Sequence, residues 1–491
     1  MTNGNENLII KLFKQSSHYF IGNIILMIAG FVSMPILTRI LTKSQYGILN
    51  LVSITLFILL AVAKFGLQHS AVRFFDEFKN GKRKEDISVF YTTLFWGCLI
   101  LSTVVGAVFW ILGQFLYHPF PSERPGILLL LVAGMVITGS MIIRFINFLR
   151  VEQRTKSVNL LKIIDRYVAL ALSLAFVYIF SKTIEIFFSG KLLVEFLVIV
   201  TLSYLFFKQH KIKLKGFSLP FFKECIWYGF PLVGFELAGF FMIYSDRYLI
   251  QYFLGSEAVG VYSVGSNLCY YIKDILYFPM WYAISPLYME LYSNKGIEET
   301  REFISKNFNY LLLISIPMII GFSVLGKQII TILASSKYES AAVVIPYILT
   351  GTLAWSFYPL YASGLFIYKQ TKKLPLLVFI CGGLNIILNI ILIPRLDLLG
   401  AALATFISYI ILTGLVMAVS FKYLKIHIEF PKIFKYVFAC VPMSIIIYFI
   451  GFDIGILSVL IKTITGIITY FFVLLCIDKN IRLKVIKLII R

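Results

Sequence analysis

Long apolar runs recur along the chain from residue 17 to residue 478. Each run is about 20 residues long, which as a helix crosses the roughly 30 Å hydrocarbon core of a bilayer. The polar stretches between the runs are at most roughly twenty residues long, too short for a separate soluble domain. The spans are predicted at residues 17–38, 48–70, 89–113, 127–147, 158–180, 185–206, 226–253, 258–284, 309–333, 340–368, 374–394, 398–420, 434–452 and 455–477. The pattern predicts an all-α integral membrane protein with about 14 transmembrane helices.

Composition agrees with a membrane location. Of the 491 residues, 59% are hydrophobic and only 14% are charged, which is too little polar surface for a soluble chain of this length. The six cysteines are scattered and form neither a CxxC pair nor a Cys/His spacing. We therefore expect no metal, no other cofactor and no disulfide framework.

The placement of the charges predicts an orientation. With the N-terminus in the cytoplasm, the inner connections and tail hold about 30 Lys and Arg residues and the outer connections about 6, as the positive-inside rule requires. Both termini are therefore predicted to be cytoplasmic. The net charge of +21 then reflects topology and attraction to anionic membrane lipid, and not a nucleic-acid partner.

A short internal repeat suggests how the helices are grouped. Residues 41–53 and 254–266 match at Leu41/Leu254, Gly47/Gly260 and Ser53/Ser266, with an offset of 213 residues. Both segments join an outward helix to an inward one, so the copies have parallel topology. The predicted organisation is an N-terminal lobe at 1–207 with helices 1–6, a C-terminal lobe at 208–421 with helices 7–12, and helices 13–14 with a basic tail at 422–491.

Two stretches carry a resemblance to a known family. Residues 34–74 contain Pro35, Arg39, Leu41, Tyr46-Gly47, Phe65-Gly66-Leu67 and Arg73-Phe74, and the second half contains Gly229-Phe230-Pro231-Leu232, Ser245-Asp246-Arg247-Tyr248 and Val259-Gly260-Val261-Tyr262-Ser263. The chain resembles the polysaccharide transporter family, which includes Wzx-type flippases of O-antigen and capsule repeat units. That family belongs to the superfamily of multidrug and oligosaccharidyl-lipid exporters, so the resemblance implies a MATE-like, two-lobed fold.

The resemblance also implies a function. It predicts a flippase, not an enzyme, that moves an undecaprenyl-pyrophosphate-linked oligosaccharide from the inner to the outer leaflet of a bacterial cytoplasmic membrane by alternating access. The product would enter surface polysaccharide such as the O-antigen of lipopolysaccharide, with glycosyltransferases and a polysaccharide polymerase as partners. No GxxxxGK[ST] loop for ATP is present, which leaves an H⁺ or Na⁺ gradient or downstream consumption of the product as the energy source.

Ionisable residues within the predicted spans are the candidates for the site. Each costs about 2.5–3.5 kcal/mol at a helix centre and therefore needs a partner, a wet cavity or a route to the interface. Basic residues exceed acidic ones, which suits a pyrophosphate headgroup because Arg and Lys bind phosphate oxygens. The predicted binding residues for the anionic head are Lys64, Arg73, Arg144, Lys162, Arg166, Arg247 and Lys273; Asp165, Glu236, Asp246 and Asp274 are predicted as ion-coupling groups or charge partners.

Spacing predicts some of the pairings. Lys162 and Asp165 share a helix face, as do Lys191 and Glu195, so each pair can form an ion pair. Lys162 and Arg166, however, lie on one face and share the single anion Asp165, which leaves about one positive charge unmatched and makes this face a candidate wall of the cavity. Arg144 either snorkels to the inner surface or faces the cavity, whereas Lys64 lies too deep to snorkel easily. The neighbours Asp246–Arg247 and Lys273–Asp274 point about 100° apart on a helix and are predicted not to pair with each other.

Two other functions remain open at this point. A cation-coupled multidrug exporter of the same superfamily would use carboxylates in the membrane; span 1 has none, but Glu236 and Asp246 keep such a site possible in the second lobe. A membrane glycosyltransferase or polymerase would be expected to carry catalytic residues on sizeable outer loops. The outer connections here are short, and they show no such constellation.

Overall fold

The computed structural model describes residues 22–115, 124–210, 212–451 and 455–483, and within these ranges the regular structure is helical, with no strand. Eleven of the described helical segments are long and apolar enough to cross a membrane, which confirms the all-α membrane fold. The helices are α1 Gly22–Ile40, α2 Lys43–Lys64, α3 Leu67–Lys79, α4 Ile87–Phe115, α5 Pro125–Val151, α6 Thr155–Ile179, α7 Ile184–His210, α8 Leu219–Leu254, α9 Ser256–Pro279, α10 Ser285–Lys295, α11 Ile297–Leu333, α12 Ile345–Ser356, α13 Tyr358–Tyr361, α14 Ser363–Ile367, α15 Lys373–Ser420, α16 Phe430–Phe449 and α17 Ile456–Ile477. The two termini, predicted to be cytoplasmic, lie outside the described residues.

Several predicted spans differ in detail from the helices that form. Span 2 is divided, because α2 ends at Lys64 and α3 begins at Leu67. Spans 11 and 12 form the single element α15, which is kinked at Asp397, where φ is 50° and ψ is −132°. Span 8 continues through a π-helical turn, Met280–Ile284, into α10. Apolar run length therefore located the helices but not their breaks, which depend on local backbone conformation.

The chain forms two compact units, Met1–Gly260 and Val261–Arg491. In the first unit, aromatic side chains of α3, α4, α5, α7 and α8 form one apolar core, including Phe75, Phe90, Phe145, Phe206 and Phe221. In the second unit, an apolar cluster joins α11 to α16 and α17 around Leu325, Met443 and Tyr470. The unit boundary differs from the predicted lobe boundary at residues 207/208, because α8 packs against α2 and α3. The division into repeated lobes stays a prediction.

The glycines that mark the predicted repeat contact each other's segments. A methyl group added at Gly47 would lie 2.0 Å from the carbonyl oxygen of Ser256, and one added at Gly260 would lie 2.1 Å from the carbonyl oxygen of Lys43. Lys43 and Ser256 are related by the same 213-residue offset as Gly47 and Gly260. Such reciprocity is the contact pattern of a two-fold interface, and it is what the predicted repeat would produce here.

A second close approach lies where α2 gives way to α3. Phe65 and Gly66 both adopt left-handed backbone conformations, with φ of 48° and 75°, and they end α2 before α3 begins. A methyl group at Gly66 would lie 2.0 Å from the carbonyl oxygen of Gly229 in α8. Small residues allow membrane helices to approach backbone to backbone in this way. The break in span 2 thus brings its flanking side chains against α8.

We predict that Gly66→Ala destabilises the protein more than the matched control Gly81→Ala. Both positions have positive φ, 75° and 65°, but a methyl group at Gly81 meets nothing within 4 Å. The free energy of unfolding of the control should therefore fall by only about 1 kcal/mol, because alanine at positive φ strains the backbone. For Gly66→Ala it should fall by about 1–3 kcal/mol more, because the added methyl group overpacks the contact. Thermal unfolding in detergent measures the difference, and equal losses for the two variants would contradict the close contact.

Candidate functional site

The break between α2 and α3 carries a charged contact to α8. The Lys64 ammonium lies 2.7 Å from Oε1 of Glu236, and the Gln68 amide donates to Oε2 of the same carboxylate at 3.2 Å. The Lys64 and Glu236 side chains are only 13% and 27% exposed. Lys64 is thus neutralised in place by a residue 172 positions away. Glu236 is a charge partner here, one of the two roles predicted for it.

Arg144 reaches the same break from α5. Its Nη1 donates to the carbonyl oxygen of Leu67, the first residue of α3, at 3.3 Å, and its guanidinium lies 5.9 Å from the centre of the Phe148 ring. Arg144 is only 1% exposed, so it does not snorkel to the surface. Its buried Nε has no hydrogen-bond partner, and no described carboxylate forms an ion pair with it. Arg144 therefore carries a buried positive charge that the described residues leave unmatched.

Further basic groups surround this point. Arg150, close to the end of α5, interacts electrostatically with His69 on α3 and with Lys162 on α6. His69 in turn interacts with Lys64 and Glu236. Gln68, His69 and Arg150 are not predicted from the sequence, because nothing in the local pattern shows that α3, α5 and α6 meet.

At the predicted inner surface, salt bridges of Arg83 join α3 and the α3–α4 connection to α8. Two nitrogens of Arg83 donate to the two carboxylate oxygens of Glu224 at 2.8 and 2.7 Å, and Arg83 also pairs with Glu77 at 2.9 Å. Hydrogen bonds to Glu224 raise the pKa of the Arg83 guanidinium above its usual range, so this cation is permanently charged. Arg73, predicted to bind the anionic head, is exposed and pairs with Glu77 at 2.6 Å.

A second polar cluster lies between α5, α6 and α7. Lys191 and Glu195 form the predicted ion pair at 3.6 Å, and the Thr138 hydroxyl donates to the buried Glu195 carboxylate. The ion pair that spacing allows between Lys162 and Asp165 does not form among the described residues. Asp165, whose Oδ1 is buried without a hydrogen-bond partner, interacts electrostatically with Lys191 and Arg166. Sharing a helix face makes such a pair possible but does not fix which rotamers the two side chains adopt.

The predicted separation of adjacent charges is also wrong. Arg247 pairs with its neighbour Asp246 at 2.7 Å and donates to the Ile243 carbonyl oxygen at the same distance. Lys273 likewise pairs with Asp274 at 2.7 Å and lies near the rings of Tyr270 and Tyr277. The divergence of neighbouring Cβ atoms is overcome because the Arg and Lys side chains are long and flexible.

The seven predicted cations therefore fall into two groups. Four have a carboxylate partner: Lys64, Arg73, Arg247 and Lys273. Arg144, Lys162 and Arg166 form no ion pair with any carboxylate in the described part of the chain. Those three lie on α5 and α6 in the first unit. Arg144 is buried, whereas Arg166 is exposed and interacts electrostatically with Asp165.

Solved structures share this fold. A lipid II flippase MurJ in an inward closed conformation superposes with a TM-score of 0.73 at 18% identity, and the alignment covers 94% of this chain and 98% of that one. At this level of identity, the likeness establishes the fold alone.

Two archaeal proteins are similar in sequence. An uncharacterised membrane protein, MJ1068, from Methanocaldococcus jannaschii is 24% identical over 420 residues, which are 79% of this chain and 80% of that protein. A probable low-salt glycan biosynthesis flippase, Agl15, from Haloferax volcanii is 24% identical over 198 residues, which are 40% of this chain and 42% of that protein.

The family assignment comes from the N-terminal part of the chain. The sequence profile described as "Polysaccharide biosynthesis protein" matches residues 12–292. The matched region includes α1 through α9, and with them the break between α2 and α3, Arg144 and Glu236. Because the match covers more than half of its length, this multi-pass membrane protein belongs to the polysaccharide biosynthesis protein family.

Proposed function

We propose that the protein is a flippase that moves an oligosaccharide linked to undecaprenyl pyrophosphate from the inner to the outer leaflet of a bacterial cytoplasmic membrane. Arg144 carries the proposal. A fully buried guanidinium without a carboxylate partner is costly, and a pyrophosphate headgroup would compensate it. Arg is suited to this task because its planar fork binds two phosphate oxygens at once.

The neighbouring charges support an anionic headgroup. Lys162 adds a further cation without an ion-pair partner among the described residues, and Arg150 interacts electrostatically with it. Arg166 adds an exposed cation, which interacts electrostatically with Asp165. The names of two similar proteins agree with this chemistry, since one is a probable glycan biosynthesis flippase and the other a lipid II flippase. Cationic drugs would be repelled by such a site, so the multidrug exporter is the less suitable function.

Movement across the bilayer would follow from rocking of the predicted lobes, residues 1–207 and 208–421, with both termini in the cytoplasm. An H⁺ or Na⁺ gradient could supply the energy through Asp165, whose Oδ1 is buried without a hydrogen-bond partner. Asp165 and Glu195 repel each other, and Lys191 interacts electrostatically with both carboxylates. An added proton or cation would reduce the negative charge that the single Lys191 ammonium leaves on the two carboxylates.

Deletion of the gene should leave the complete lipid-linked oligosaccharide on the cytoplasmic leaflet, because assembly precedes flipping. Extraction of the lipid-linked intermediates and their mass spectrometry measure the accumulation, and surface glycan should fall in parallel. Normal surface glycan together with an altered drug-resistance profile would instead identify a multidrug exporter.

In the complemented deletion strain, Arg144→Gln should reduce glycan export by about ten- to hundredfold, the value of a hydrogen bond to a charged group. Lys156→Gln is the matched control, because it removes an exposed cation from the first turn of α6 and should leave export unchanged. Protein level and thermal stability in detergent separate loss of function from loss of fold. Normal export by a well-folded Arg144→Gln variant would refute the role of this residue.

A further inference from the structure

Glu236 is bound in the way that a phosphate group would be bound. Each of its two carboxylate oxygens has its own donor, the Lys64 ammonium at 2.7 Å and the Gln68 amide at 3.2 Å. A cation and a neutral donor that converge on two oxygens of one group form a general oxyanion site. In this structure, the oxyanion is supplied by the protein itself, from α8.

We infer that Glu236 is an internal substitute for the substrate's phosphate, and that the arriving pyrophosphate displaces it and releases α8 from α2 and α3. This inference rests on the proposed function and assigns Glu236 a specific part in it: the residue keeps the headgroup site filled and closed until an anion of higher charge arrives.

The charge balance favours this exchange. Glu236 carries one negative charge, which neutralises Lys64 and leaves nothing for Arg144. Arg144 donates to the Leu67 carbonyl oxygen, so it contacts the same short segment, residues 64–68, that holds Glu236. A pyrophosphate carries more than one negative charge and more acceptor oxygens. It can therefore compensate both cations, where Glu236 compensates only one.

Displacement would have a mechanical consequence, because the ion pair lies beside a close backbone contact between these helices. Gly66 is two residues from Lys64, and its α8 partner Gly229 is seven residues from Glu236. One helical turn further along α3, the Ser70 hydroxyl donates to the Cys225 carbonyl oxygen at 2.7 Å. A half-buried carboxylate that loses its partner moves towards water, and in doing so it would draw α8 away from α3.

Cys225 offers a natural reporter of this separation. It is 0% exposed, and it lies on α8 where Ser70 of α3 covers it. Cys98 is a matched control, because it is also 0% exposed and belongs to the same apolar core but lies on α4. Release of α8 should expose Cys225 alone, whereas general loosening of the fold would expose both thiols.

The test uses full-length protein in lipid nanodiscs, with either Cys225 or Cys98 retained and the other five cysteines replaced by alanine. Without ligand, Glu236→Gln should raise the rate of N-ethylmaleimide labelling at Cys225 by about tenfold or more, since breaking a buried ion pair is strongly destabilising. Labelling at Cys98 should not change. The charge-reversed double variant Lys64→Glu with Glu236→Lys should restore the protection of Cys225.

The ligand arm uses farnesyl pyrophosphate as the probe and farnesol as its uncharged control. Farnesyl pyrophosphate should raise Cys225 labelling in the protein with Lys64 and Glu236 intact, and farnesol should not. In Lys64→Gln, Cys225 should be labelled readily at the outset and should not respond to the probe. Binding of the probe is measured independently, by isothermal titration calorimetry.

Three results would overturn the inference, and they differ in what they imply for the proposed function. If Glu236→Gln leaves Cys225 as protected as before, the ion pair does not hold α8, whatever the protein transports. If the probe binds but does not expose Cys225, the displacement is wrong while anion recognition stands. If the probe does not bind and gene deletion causes no accumulation of lipid-linked glycan, the proposed function fails and this inference fails with it.

Discussion

The backbone contact between Gly66 and Gly229 is the constraint on which the arrangement of the charged residues depends. A membrane gives two helices no hydrophobic reason to associate, so close association has to come from packing and polar contacts. With no side chain on either residue, α8 lies directly against the end of α2. The long side chains of Lys64 and Gln68 then need to span only a short distance to Glu236, and Ser70 can reach a carbonyl group on α8.

The same break explains why Arg144 can remain buried. The left-handed conformation of Phe65 and Gly66 ends α2 before α3 begins at Leu67. The carbonyl oxygen of Leu67 accepts a hydrogen bond from Arg144. A neutral acceptor supports a guanidinium but does not cancel its charge. Arg144 is therefore held in place without being neutralised by the described residues, as the proposed binding of an anion requires.

The sequence was sufficient to locate the membrane helices, though not their breaks, and to single out charged residues within the apolar runs, because both depend on local properties. Apolar run length determines where a helix can cross the bilayer, and a charge within such a run stands out at once. The partners of those charges, in contrast, cannot be predicted from local sequence. Lys64 and Glu236 are 172 residues apart, and no periodicity links them. The local prediction that adjacent charges do not pair also failed, because long side chains can reach each other: Asp246 and Arg247 pair although their Cβ atoms diverge.

The charged pairs are of two kinds, those within one helix and those between helices, and composition alone does not distinguish them. Asp246–Arg247 and Lys273–Asp274 each pair two neighbouring residues of a single helix. Lys64–Glu236 and Arg83–Glu224 instead join α2 and the α3–α4 connection, respectively, to α8. A pair within one helix survives any movement of that helix, whereas a pair between helices must break when they separate. Of the two pairs between helices, Lys64–Glu236 is the more buried and the one that lies at the break in span 2, so it is the pair that the inferred displacement would break.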